Sequence, residues 1–113
     1  MDNFSTDPQI RTLNGNRLLI LIQNTTSTAV NIDVTLRNLQ NSNNDVTTTV
    51  TIDPNSTKVL HLSRVPTLFE VIISNVPSGV YFTVYTGRRC SNGDFLISQQ
   101  FNYNDFIKAT ITA

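Results

Sequence analysis

Leu18–Leu36, LLILIQNTTSTAVNIDVTL, is the stretch whose reading decides the fold. Leu18 to Ile22 is apolar at both parities, and Gln23 to Thr28 is a polar turn cluster. Val30, Ile32, Val34 and Leu36 then alternate with Asn31, Asp33, Thr35 and Arg37. Strict alternation puts one face of an extended chain on a core and the other in water. The unbroken run reads instead as a strand with both faces covered. The outer face of Leu18–Ile22 is therefore expected to lie under a loop, an arm or a neighbouring molecule.

Working downstream, Val46, Val50 and Ile52 make an inner face, with Thr47, Thr49 and Thr51 outside. Asp53-Pro54-Asn55-Ser56 is turn chemistry, and a short strand follows with Leu60 and Leu62 inward. Pro66 cannot donate to a ladder and breaks the chain before the apolar run Leu68–Ile73. After Pro77-Ser78-Gly79, Val80, Phe82 and Val84 oppose Tyr81, Thr83 and Tyr85. Gly87 to Asp94 is a loop, and Phe95–Phe101 and Ile107–Ala113 are the last two strands, with Ile107, Ala109 and Ile111 on one side. About eight short strands at a spacing of roughly 8–12 residues, with no helical periodicity, predict an all-β antiparallel sandwich of the jelly-roll kind.

Upstream, Met1–Asn16 is polar, with Phe4, Ile10 and Leu13 isolated in it, and it ends in Asn14-Gly15-Asn16. The plain reading is a frayed terminus. The sharper reading is an extended, flexible connector arm over residues 1–16, with three spaced anchors and a hinge at Gly15, ahead of a sandwich domain over 17–113. Leu19 and Leu21, with Tyr81 and Tyr85, make the candidate interface face of that domain, since phenol rings suit an interface or a sheet rim.

Composition narrows the function. Eight basic and eight acidic residues cancel, so a cationic face for a phosphate backbone is not expected, and nucleic acid is not an expected partner. The 14 Asn and 16 Thr occupy the space that charges usually take, which suits fibre, coat and capsid subunits better than enzymes. No apolar run approaches the ~18 residues of a membrane span, and the first residues do not read as a secretory signal. No cofactor is expected. His61 has the parity of a solvent-facing residue and no nucleophile beside it, so no catalytic residue is assigned. One His and one Cys exclude the usual zinc sets within a monomer, and neither Asn43-Asn44-Asp45 nor Asn92-Gly93-Asp94 has the pattern of a calcium loop. Cys90, after Arg88 and Arg89, is a candidate intermolecular thiol.

The order of an apolar strand, Asn24-Thr25-Thr26-Ser27-Thr28-Ala29-Val30, an alternating strand, Val50-Thr51-Ile52 with Pro54-Asn55-Ser56-Thr57, and Phe69-Glu70-Val71 resembles the endospore appendage pilins of Bacillus. The resemblance covers roughly Leu18 to Thr86 and rests on spacing and turn types. It implies jelly-roll subunits that stack by edge-strand pairing into a spore-surface or extracellular fibre, each sending an N-terminal connector into its neighbours. The expected partner is then the chain itself, with anchor or tip proteins of the fibre beside it. The best-known branch crosslinks its connectors through cysteines; here none precedes Cys90, which fits a cysteine-poor, non-covalent branch. The alternatives are a glycan- or receptor-binding sandwich presenting loops such as Asn38–Asp45 and Gly87–Asp94, and a viral or phage jelly-roll structural protein.

Overall fold

The computed structural model describes residues 2–12 and 15–108. Its strands are β1 (Asp2–Ser5), β2 (Gln9–Ile10), β3 (Arg17–Asn24), β4 (Val30–Asn38), β5 (Val46–Ile52), β6 (Ser56–Ser63), β7 (Leu68–Val76), β8 (Val80–Arg89), β9 (Phe95–Asn102) and β10 (Ile107–Lys108). They form two sheets, one of six strands in the order β10-β1-β7-β4-β5 with β2 also on β7, and one of four in the order β6-β3-β8-β9. Every pairing is antiparallel. This is the all-β sandwich the periodicity predicts. The hairpins β4–β5 and β8–β9 each stay within one sheet, and the other connections between long strands cross from one sheet to the other.

The alternating positions of β4 and β8 land as expected, whereas Val46, expected on the inner face with Val50 and Ile52, is exposed at the start of β5. Ile32, Val34 and Leu36 of β4 meet Leu18, Ile20 and Ile22 of β3 and Val80, Phe82 and Val84 of β8 in one core. On the outer side of β4–β5, Asp33 accepts from the Thr49 hydroxyl at 2.6 Å, Asn31 accepts from Thr51 at 2.6 Å, and the Thr35 and Thr47 hydroxyls share a bond of 3.0 Å. These cross-strand pairs account for part of the Thr and Asn excess, because each rung joins two side chains standing opposite on one face.

The turn after β3 is tied from inside. Asn24 is fully buried, and its amide donates to the carbonyls of Thr28 (2.9 Å), Ile52 (3.2 Å) and Asp53 (3.2 Å). Its carbonyl accepts from the Thr26 amide at 3.0 Å and the Thr26 hydroxyl at 2.6 Å. One side chain thus joins the β3–β4 turn to the β5–β6 turn, which is why an asparagine can be buried there at no net loss of hydrogen bonds.

The N-terminal segment corrects the expectation of a free arm. Asp2–Ser5 lies between β10 and β7, and Gln9–Ile10 pairs with Phe69 and Leu68 at the other end of β7. Phe4 is only 4% exposed and stacks on Phe82 and Tyr103, both at 5.3 Å between ring centroids. The Ser5 hydroxyl donates to Glu70, which also holds Arg37 at 2.8 Å, and Thr6 exchanges bonds with the Val71 backbone in both directions. The physical reason is the edge of β7: without β1 its buried backbone groups would lack partners, and Phe4 supplies apolar area that a solvated arm would waste. Leu13, expected as the third anchor, and Ala109 and Ile111, expected on the last strand, lie outside the described residues.

Candidate assembly surface

Sheet pairing fixes which side chains share the outer face of the four-stranded sheet. On β3, Leu19 stands between His61 of β6 and Tyr85 of β8, Leu21 between Val59 and Thr83, and Gln23 between Thr57 and Tyr81. The four residues expected at an interface, Leu19, Leu21, Tyr81 and Tyr85, are therefore brought onto one face. Leu19, Leu21 and Tyr85 are half-buried, and Tyr81 and Val59 are exposed. Of the covers expected for the outer face of Leu18–Ile22, neither a loop nor the arm supplies one among the described residues, where the strands alongside give Leu19 and Leu21 partial shielding. At one end of this face, Tyr81 meets Tyr103 edge-on at 5.1 Å beside a hollow of about 580 Å³ lined also by Gln23, Thr57, Asn102 and Asn104.

Among the described residues, the edges of the same sheet are β6 and β9, each eight residues long. Because β3 is antiparallel to β6 and to β8, and β8 is antiparallel to β9, the two edge strands run in opposite directions. The sequence of β9, FLISQQFN, contains neither a charge nor a proline. On β6 the ionisable side chains are Lys58 and His61, and His61 is exposed, as its parity predicts. Edge strands of monomeric proteins are commonly blunted by lysine, proline or a covering segment. Here β9 instead exposes Leu96 (49%) and Ile97 (55%).

A bulge shapes that edge. Thr86 pairs with Gln99 but Gly87 pairs with Ile97, so Ser98 is an extra residue on β9. An extra residue bends the strand and increases its twist. Gly87 permits the close approach: a Cβ there would lie 2.0 Å from the Leu96 carbonyl oxygen.

The remaining candidates lie elsewhere. Phe4 is in the core and Gly15 is buried, so neither joins a docking surface, whereas Ile10 is 70% exposed on β2. Cys90 is half-buried in the β8–β9 turn, where its amide donates to the Asp94 carbonyl at 2.7 Å. Among the described residues no three of His, Cys, Asp and Glu come together as a metal set. What sequence reasoning missed was the pair of edges, since strand order is not written in periodicity; the absence of charge in Phe95–Asn102 was the available signal.

No protein-family model matches the chain, and no curated protein matches it. A solved structure, the "Crystal Structure of Thermotoga maritima 1070", is similar over 89% of this chain and 90% of its own, with a TM-score of 0.63 and 17% sequence identity. At that identity the likeness is one of fold.

Proposed function

We propose that the chain is a non-catalytic structural subunit that joins copies of itself into a fibre by edge-strand pairing. The observation that carries the reading is the matched pair of edges on the four-stranded sheet. A copy moved sideways past β9, without being turned over, offers its β6 antiparallel to β9, so the alternation β6-β3-β8-β9 continues from subunit to subunit. Main-chain hydrogen bonds would supply the affinity, as when a peptide strand is added to a sheet. Such a contact uses two different surfaces and does not close on itself, which generates a filament rather than a dimer. Zero net charge leaves little long-range repulsion between stacked copies.

The resemblance to endospore appendage pilins supports the same reading and supplies its setting, a spore-surface or extracellular fibre. Connector docking is not retained, because the anchor Phe4 is occupied inside its own subunit. Ile97→Lys places a charge on an exposed edge position without touching the core. Light scattering of the full chain before and after that change is the test. Large assemblies that fall to monomers, with the unfolding midpoint preserved, support edge pairing. Assemblies of unchanged size in the variant would remove β9 from the contact.

A further inference from the structure

At the end of the sandwich opposite the Asn24 turn, three arginines share one hollow. Arg11, Arg17 and Arg64 line one surface hollow of about 510 Å³ together with Asn16 and Val65. Arg88 and Arg89 extend β8 past Gly87, the residue paired with Arg17. Net charge had suggested no cationic region; the cancellation belongs to the whole chain and not to this end of it. Among the described residues, no carboxylate lies within ion-pairing distance of Arg11, Arg17 or Arg64. Asp45, which shares a neighbouring hollow with Arg64, is already engaged by Arg37 at 3.9 Å and by the Asn38 amide at 2.7 Å.

The arrangement is held rather than incidental. The Arg11 guanidinium donates to the Val65 carbonyl at 3.0 Å and its amide to Thr67 at 2.7 Å, while the Val65 amide donates to the Asn16 carbonyl at 2.9 Å. Those bonds stitch the chain around Arg11, Arg17 and Arg64 to one loop, anchored in the core by fully buried Val65. Backbone conformation adds an independent sign. Among the described residues, the non-glycine residues with positive φ are Asp7, Asn55, Asn75 and Arg64, at 63°, 53°, 64° and 67°. Three are the Asp and Asn residues that tolerate this region, and Arg64 is the exception. A residue kept where glycine or asparagine would be less strained points to a use for its side chain.

We propose that Arg11, Arg17 and Arg64 form a binding site for a compact oxyanion, a phosphate or sulfate group. Guanidinium forks match such oxygens with paired N–H donors, and arginines lining one hollow can bind an anion in place of the carboxylates missing here. The Asn16 amide can add a neutral donor at the rim.

Equilibrium dialysis of the full chain against radiolabelled inorganic phosphate, at constant ionic strength in chloride, tests this. Saturable binding to a single class of site is expected, with sulfate competing. Glycerol phosphate competing more strongly than inorganic phosphate would assign the site to a phosphate ester, and equal competition to the free ion. Arg64→Gly removes one guanidinium while relieving the left-handed backbone, so its unfolding midpoint should stay level or rise. Its affinity should fall roughly tenfold or more, the loss expected for charged hydrogen bonds. Binding that does not saturate, or an Arg64→Gly variant that folds and binds as tightly as the parent, would overturn the proposal.

Discussion

Phe4→Ala separates a seated first strand from a free arm. In the structure Phe4 is 4% exposed and touches the rings of Phe82 and Tyr103, with Phe106 packed on Phe82 at 4.7 Å behind them. Truncating a fully buried phenylalanine costs about 3–5 kcal/mol, because the lost transfer energy adds to that of a cavity that cannot collapse. A chain of 113 residues is stable by roughly 6–17 kcal/mol, so the change removes a large share of the total. At about 4–8 °C per kcal/mol for a domain near this size, the midpoint should drop by more than 10 °C. Chemical denaturation followed by circular dichroism gives the free energy directly, and scanning calorimetry the midpoint. An exposed arm residue would change stability by about 0.5 kcal/mol or less. A loss below 1 kcal/mol, on the order of what surface substitutions give, would therefore refute the placement of β1 between β7 and β10.

Three further outcomes follow from particular contacts. Asn24→Ala should cost about 3 kcal/mol in denaturant titration, since it strips bonds from three carbonyls and from Thr26 at two turns; a loss under 1 kcal/mol would mean that water replaces the amide. Gly87→Ala should cost about 1–3 kcal/mol and loosen β9, seen as faster amide exchange over Phe95–Asn102, because the added methyl meets the Leu96 carbonyl. Cys90→Ser should leave any assembly intact with and without reductant, as non-covalent edge pairing requires; fibres dissolved by either treatment would show a crosslink instead.

The sequence carried the fold through parity. Positions 30 to 36 and 80 to 85 alternate; Ile32, Val34, Leu36, Val80, Phe82 and Val84 are buried and Val30 is half-buried. Leu18–Ile22 was legible in part. Its outer residues stand beside Val59, Thr83 and Tyr85 across the sheet, so within one subunit the sheet itself supplies part of the cover that two-sided apolarity calls for. The arm misled for a related reason. Four residues with one apolar anchor look like a frayed end, and only the vacant edge of β7, a long-range feature, makes a strand of them. Sequence placed Leu19, Leu21, Tyr81 and Tyr85 on one face, because parity is local. It did not show that β6 and β9 are edges, nor that Arg11, Arg17 and Arg64 line one hollow, because both depend on strand order.

Edge pairing requires the four-stranded sheet to continue from one copy to the next. Cryo-electron microscopy of the full chain at high concentration tests it most directly. Filaments are expected in which β6 of one subunit runs antiparallel to β9 of its neighbour at about 4.8 Å, the spacing of hydrogen-bonded strands. Monomers on the grid, or filaments whose β9 edge faces solvent, would contradict it.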